Sequence, residues 1–242
     1  MAVYRSFLLL AFASCVLSEG EKLFDPCYKS DIKCLSEATQ TFLGNSCNGL
    51  PKFNIKPLDP LIIPELNVVV DEEMGLAFKF TNINITGLKN QQISDFKMDT
   101  DKKSVVLKTK ADLNIAGDLK ITFTKQNKEF NGPYTASATA LGSSQYGYSL
   151  VKRNDKEYFE VGPETNTCEI LGEPVVAISD VLQTALDNDA DARSMKPDYE
   201  TNKVSLRKKT LCRIVETAYI TVIHNTRAVA RIFPKENFFY DI

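Results

Sequence analysis

The sequence predicts an α+β fold: a long curved antiparallel sheet, one long C-terminal helix largely surrounded by it, and a short amphipathic helix near the N-terminus. Three observations carry this. From Leu66 to Val161 apolar residues recur at every second position, in segments joined by turn residues. From Thr201 to Phe233 the period becomes helical, with Val204, Leu211, Val215, Ala218, Val222, Val229 and Ile232 on one stripe. Between Asp31 and Leu43, Ile32, Leu35, Ala38, Phe42 and Leu43 share one helical face.

Met1 to Gly20 reads as a secretory signal. Arg5 precedes the apolar run from Phe7 to Ala13, small residues follow, and cleavage fits after Ser18 or after Gly20. The alternative is a buried N-terminal helix. The run is too short to span a bilayer, and no other stretch approaches ~18 apolar residues. A single secreted domain over 21–242, without stable membrane insertion, is therefore expected. Cys15 would leave with the signal. Cys27, Cys34, Cys47, Cys168 and Cys212 remain, an odd set that leaves one thiol over in an oxidising compartment. Spacing alone does not choose among their pairings.

Ser30 or Asp31 can cap the first helix, and Gly44-Asn45 is expected to stop it. Pro51, Pro57, Pro60 and Pro64 then forbid helix and central strand, so Gly49 to Pro64 reads as an extended connector. Strands follow around Leu66–Val70, Leu76–Phe80, Val105–Thr109, Leu113–Ile115, Leu119–Phe123, Tyr134–Ala140, Tyr146–Val151 and Tyr158–Val161. Turns are expected at Gly87, Asp99–Lys103, Gly117-Asp118 and Asn131-Gly132-Pro133. One face of each strand is apolar and the other carries Lys, Asp and Thr, so the sheet is wet on one side. Asn84-Ile85-Thr86 is the one standard glycosylation sequon, with Asn84 on the polar phase. Val175–Ile178 can add a strand, Ser179 or Asp180 caps a short helix through Leu186, and Asp187–Pro197 reads as loop. In the last helix the β-branched run around Ile220–Ile223 also fits a strand. Its length, its freedom from Pro and Gly, and its stop at Pro234 favour helix. Because Ala218–Ile223 is apolar nearly all round, that turn is expected to be covered on every side.

The chemistry that is missing narrows the function. Net charge is −2, so no basic surplus argues for nucleic acid. His224 is the only histidine. A triad would have to place it inside a helix, with no nucleophile elbow anywhere. The cysteines are too scattered for a metal cluster, and glycine loops of the dinucleotide or P-loop type are absent, so neither a cofactor nor catalysis is expected. What remains is an apolar surplus that fits a plain core and an elongated apolar cavity equally well.

Several stretches together carry a resemblance. They include Asp25-Pro26-Cys27 with Cys34-Leu35, Pro57-Leu58-Asp59-Pro60-Leu61, and Asn84-Ile85-Thr86-Gly87-Leu88. Others are Lys89-Asn90-Gln91-Gln92-Ile93-Ser94-Asp95-Phe96, Tyr146-Gly147-Tyr148, Pro163-Glu164-Thr165, and Ile232-Phe233-Pro234 with Asn237-Phe238-Phe239. Over essentially the whole mature chain the sequence resembles the insect haemolymph juvenile hormone-binding proteins, within the wider takeout-like family. The resemblance implies a tubular lipid-binding fold and carriage of juvenile hormone, a sesquiterpenoid methyl ester with an epoxide, by a haemolymph monomer. A takeout-like carrier of another apolar ligand, a fatty acid or an odorant, is the alternative. It implies Cys27–Cys34 and Cys168–Cys212 disulfides, with Cys47 outside the pattern. It also implies that the tyrosine donating to the epoxide is Tyr146, and that Asp31–Leu43 is a gate with Leu35 and Phe42 facing inward. Phe238 and Phe239 are expected at the same end, with Tyr148 and Tyr219 as further candidates for the ligand-binding hydroxyl.

Overall fold

The structure is a computed structural model that describes residues 25–242. The signal segment and Cys15 lie outside the described residues. The elements are α1 (Ile32–Ser46), β1 (Leu61–Asp71), β2 (Leu76–Thr86), β3 (Gln92–Asp99), β4 (Ser104–Phe123), β5 (Lys128–Arg153), β6 (Lys156–Ile178), α2 (Asp180–Asn188) and α3 (Ala190–Ile232). All six strands form one antiparallel sheet in the order β1-β2-β4-β5-β6, with β3 also beside β4. β2 pairs with the second half of β4 and β3 with the first, so β2 and β3 lie end to end.

The break between them has a local cause. Gly87 has φ +107°, and a Cβ there would stand 2.1 Å from the Asp112 carbonyl oxygen, so only glycine passes. The side chain of Asp59, 8% exposed, accepts from Gly87 N at 2.9 Å and Lys89 N at 3.0 Å, which fixes the turn from outside the sheet. Pairing irregularities between Thr81 and Asn84, Ile93 and Asp95, Ser137 and Thr139, and Tyr146 and Tyr148 bend the long strands.

The strands are longer than the sequence suggests. Gly117-Asp118 and Asn131-Gly132-Pro133 are not turns. They pair with each other inside β4 and β5, Gly117 opposite Tyr134 and Asp118 opposite Pro133. Gly117 instead marks a close approach, since a Cβ there would lie 3.0 Å from Thr81 O. Pro133 sits where β6 has already ended, its carbonyl accepting from Ser179 N, so no ladder bond requires its missing N–H. Tyr158–Val161 and Val175–Ile178 are two ends of the single strand β6, whose middle is polar because it is solvated on its outer face. β1 starts at Leu61 rather than Leu66. Pro64 is tolerated because β1 is an edge strand.

The helices extend further as well. Gly44 and Asn45 do not stop α1. Ser46, buried, donates to Phe42 O at 2.7 Å, and the Cys47 carbonyl accepts from Leu58 N, so the last turn is packed rather than frayed. Asp187–Pro197 is not a loop. Asp189 caps α3 by accepting from Asp191 N and Ala192 N, and the buried Ala192 with the half-buried Met195 packs into the core. That packing outweighs Pro197 in the second turn. The middle of α3 is not covered all round: Leu211, Ile214, Val215 and Ala218 are fully buried, but Ile220 is 54% exposed. The sheet wraps the inner side of the helix and leaves an outer stripe open.

Tyr219 is part of this packed middle. Its ring stands over Gly142, where a Cβ would lie 2.3 Å from the ring, and its hydroxyl bonds to the Thr109 hydroxyl. The interior is therefore filled at mid-length and hollow on either side of the filling. The Cys168–Cys212 disulfide ties β6 to α3 at this level, with Cα atoms 5.2 Å apart.

Candidate functional site: an apolar cavity under the first helix

One hollow, of about 220 Å³, lies between α1, the β3–β4 hairpin, the β5–β6 hairpin and the C-terminal half of α3. Each wall is a consequence of periodicity already described. α1 contributes Leu35, Phe42 and Leu43 from its apolar face. β3 and β4 contribute Ile93, Phe96, Met98, Val105, Leu107 and Thr109. Tyr146, Tyr148, Phe159 and Val161 come from β5 and β6, and Val222, Asn225 and Val229 from α3.

The far end is shut by aromatic rings. Phe239 stacks on Phe96 at 5.8 Å and meets Phe159 edge-on at 6.0 Å, while Phe238 and Tyr148 both pack edge-on against Phe159. The tail carrying Phe238 and Phe239 is pinned to the start of the described chain. Cys27 N donates to Phe238 O and Tyr240 N to Cys27 O, both at 3.1 Å. The Cys27–Cys34 disulfide continues that link into α1. α1 and the tail are thus one mechanical unit. At its other end α1 is held by the bonds from Leu58 N and Asp59 N to Cys47 O. Cys47 itself is a free thiol.

Polar groups are few. Asp25 is the one charged side chain lining the cavity among the described residues. Tyr146 is 8% exposed, and its hydroxyl has no hydrogen bond to another described residue. Burial pushes its pKa well above the ordinary tyrosine value, with the nearby Arg227 charge opposing weakly, so the hydroxyl is a permanent donor. Arg227 adds no free charge to the cavity: it holds the carbonyls of Val161 and Gly162 and pairs with Glu164. The Tyr148 hydroxyl and Gln91 Oε1 are also buried without a partner. Asn225 bonds both the N–H and the carbonyl of Lys56, tying α3 to the connector.

The structure brings Tyr146, Leu35, Phe42, Phe238 and Phe239 into this one cavity. It places Tyr219 elsewhere: its ring lies behind the wall, and only its partner Thr109 reaches the hollow. Gln91, Thr109 and Asn225 were not singled out by sequence reasoning. Gln91 stood inside a matching motif, the one signal that could have found it. Asn225 gave none, because its partner is 169 residues away. The ring of His224 meets only the Asn54 carbonyl oxygen, at 3.0 Å, and no cluster of metal-ligating side chains occurs among the described residues.

Residues 7–163 match the family described as haemolymph juvenile hormone binding protein. The chain belongs to that family. It is 49% identical over 230 residues to the juvenile hormone-binding protein of Manduca sexta, which covers 94% of this chain and all of that protein. Among solved structures it is similar to takeout 1 of Epiphyas postvittana, with a TM-score of 0.72 at 16% identity, over 89% of this chain and 99% of that one. At that identity the likeness establishes the fold alone: the curled sheet and long helix are shared with takeout 1.

Proposed function

We propose that this chain is a secreted, non-catalytic carrier that binds one juvenile hormone molecule in the cavity under α1. The observation that carries the reading is an apolar hollow into which Tyr146, like Tyr148, brings a hydroxyl with no hydrogen bond to another described residue, in a chain so similar to a named hormone-binding protein. An apolar chain with one weak acceptor, an epoxide oxygen, suits that lining. Burial removes the sesquiterpenoid from water and hides its ester from esterases. The lone His224, bonded to backbone and outside the cavity, supports carriage without hydrolysis. Disulfides and the leader-like N-terminal run support secretion into haemolymph. Asn84 is exposed on β2, where a glycan would meet solvent.

The cavity is smaller than the ~300–1,000 Å³ usual for drug-sized ligands. Entry of a chain of the hormone's size therefore requires α1 to move outward, and the Cys27–Cys34 and Cys27–Phe239 links make the tail move with it. Competition of labelled juvenile hormone with a fatty acid methyl ester and with an odorant of similar length tests the reading. Hormone should bind at least about tenfold more tightly than either. Equal displacement by all three would point to a general apolar carrier instead.

A further inference from the structure

The second hollow lies at the opposite end of the tube, beyond the filling made by Leu211, Ile214, Val215 and Tyr219. At about 440 Å³ it is the larger of the two. Leu76, Phe78, Leu119 and Ile121 of the sheet line it on one side, and Leu186 and Met195 of the covering helices on the other. No contact made by the first cavity extends into it.

Its polar groups differ in kind from those under α1. Thr210 is 3% exposed and its Oγ1 has no hydrogen-bond partner. A buried hydroxyl in that state calls for an acceptor or a donor that the protein does not supply. One turn back on α3 is Arg207. Its Nε donates to the Tyr199 hydroxyl at 3.2 Å, and no carboxylate lies within ion-pair distance of its guanidinium among the described residues. The other charges lining the hollow are spoken for or turned to solvent. Lys196 pairs with Asp187 at 2.9 Å, Glu200 with Lys203 at 2.6 Å, and Asp180 is exposed in the first turn of α2. The lining thus combines a deep apolar floor, a buried unsatisfied hydroxyl and a guanidinium that no carboxylate contacts directly, the nearby Glu200 carboxylate being held by Lys203.

We propose that this second cavity is a separate binding site for a long-chain carboxylic acid, its carboxylate held by Arg207 and Thr210 and its alkyl chain lying along the sheet. A planar guanidinium matches a carboxylate with two parallel N–H···O bonds, and the Thr210 hydroxyl donates a third. Such a ligand gives the Arg207 guanidinium a direct carboxylate partner and fills the apolar volume at once. The inference goes beyond hormone carriage and does not depend on it, because the packed middle of the tube separates the two sites.

The test uses the full secreted chain, stripped of lipid, with palmitate as probe. Palmitate and juvenile hormone are each titrated alone, and palmitate is then titrated into hormone-saturated protein, with stoichiometry read by native mass spectrometry. One palmitate is expected to bind whether or not hormone is present. Arg207→Gln should weaken palmitate by about tenfold or more, as loss of a charge-assisted pair does, and leave hormone affinity unchanged. Hexadecanol, which has the chain without the charge, should not distinguish wild type from Arg207→Gln. If that variant does not fold, Thr210→Val decides by the same comparison. Displacement of palmitate by hormone, or palmitate affinity indifferent to both substitutions, would overturn the proposal. Absence of hormone binding alone would count against hormone carriage and leave the palmitate result readable.

Discussion

Removing one oxygen from Tyr146 separates anchoring from packing. Tyr146→Phe keeps the ring, which is almost fully buried between β4 and β6, so the contacts that fill the wall remain. The hydroxyl makes no hydrogen bond to another described residue in the free protein, so its loss breaks nothing in the fold. It removes one hydrogen bond to the ligand, worth about 0.5–1.5 kcal/mol net, or roughly a two- to tenfold loss of affinity. Most of the binding energy stays in apolar burial. For a ligand of about 20 non-hydrogen atoms at ~0.3–0.5 kcal/mol per atom, that corresponds to micromolar affinity or better. The assay is equilibrium binding of two labelled ligands, the epoxide-bearing hormone and its olefin precursor. The variant should weaken the first by that factor and leave the second unchanged. Equal loss of both would make Tyr146 a packing residue. Loss of neither would move the anchor to another hydroxyl of the same cavity, with Tyr148 next.

Further outcomes are expected. Gly142→Ala should destabilise the protein by about 1–3 kcal/mol in a chemical melt, because the new methyl meets the Tyr219 ring at 2.3 Å. An unchanged melting midpoint would mean that the ring is free to shift. Opening Cys168–Cys212, which closes a 44-residue separation, should cost about 4 kcal/mol on the chain-entropy account, and opening Cys27–Cys34 about 2.5. Thiol titration of the unreduced protein should find Cys47 alone reactive, and a Cys47 crosslink within the chain would contradict this. Hydrogen exchange should show α1 and the 237–240 tail gaining protection together when hormone binds, since Cys27 joins them, whereas protection unchanged in α1 would remove the gate.

The last concerns pH. Burial raises the pKa values of Tyr134, Tyr146 and Tyr219. Below the unfolded value of about 10 these groups are neutral in both states and contribute no slope. Above it the unfolded chain releases protons that the folded chain keeps. Stability should then fall by up to about 1.4 kcal/mol per pH unit for each tyrosine. Denaturant melts between about pH 9 and 11.5 measure the slope, which Tyr134→Phe should flatten. An alkaline slope unaffected by that change would place the titration elsewhere.

The sequence carries the fold wherever one side of an element is wet and the other dry. The period-two stretch from Leu66 to Val161 and the near-heptad stripe of α3 are legible for that reason, and so is α1. Boundaries fail where tertiary contacts override a local signal. Gly117 and Pro133 look like turn residues but serve close packing and a strand end, and Pro197 stays helical because Asp189 and Ala192 anchor the turn before it. Ile220 was expected inside and lies outside, since a helix composition does not say how far a sheet reaches around it. For the site, Tyr146, Leu35, Phe42, Phe238 and Phe239 are named only through resemblance to a family. Composition could not tell core from cavity, because the same Leu, Val, Ile and Phe line both. The division of the tube by Tyr219, packed over Gly142 and bonded to Thr109, depends on contacts 77 and 110 residues apart, which no local pattern encodes.

The central claim is that the hollow under α1 carries an intact hormone without reacting with it. Native mass spectrometry of the purified full chain after incubation with isotopically labelled juvenile hormone tests this directly, followed by denaturing extraction of the bound ligand. The account predicts one hormone molecule per chain, lost on denaturation and recovered as the unaltered epoxide methyl ester. A chain that binds no hormone, or that returns it as the free acid, would contradict it.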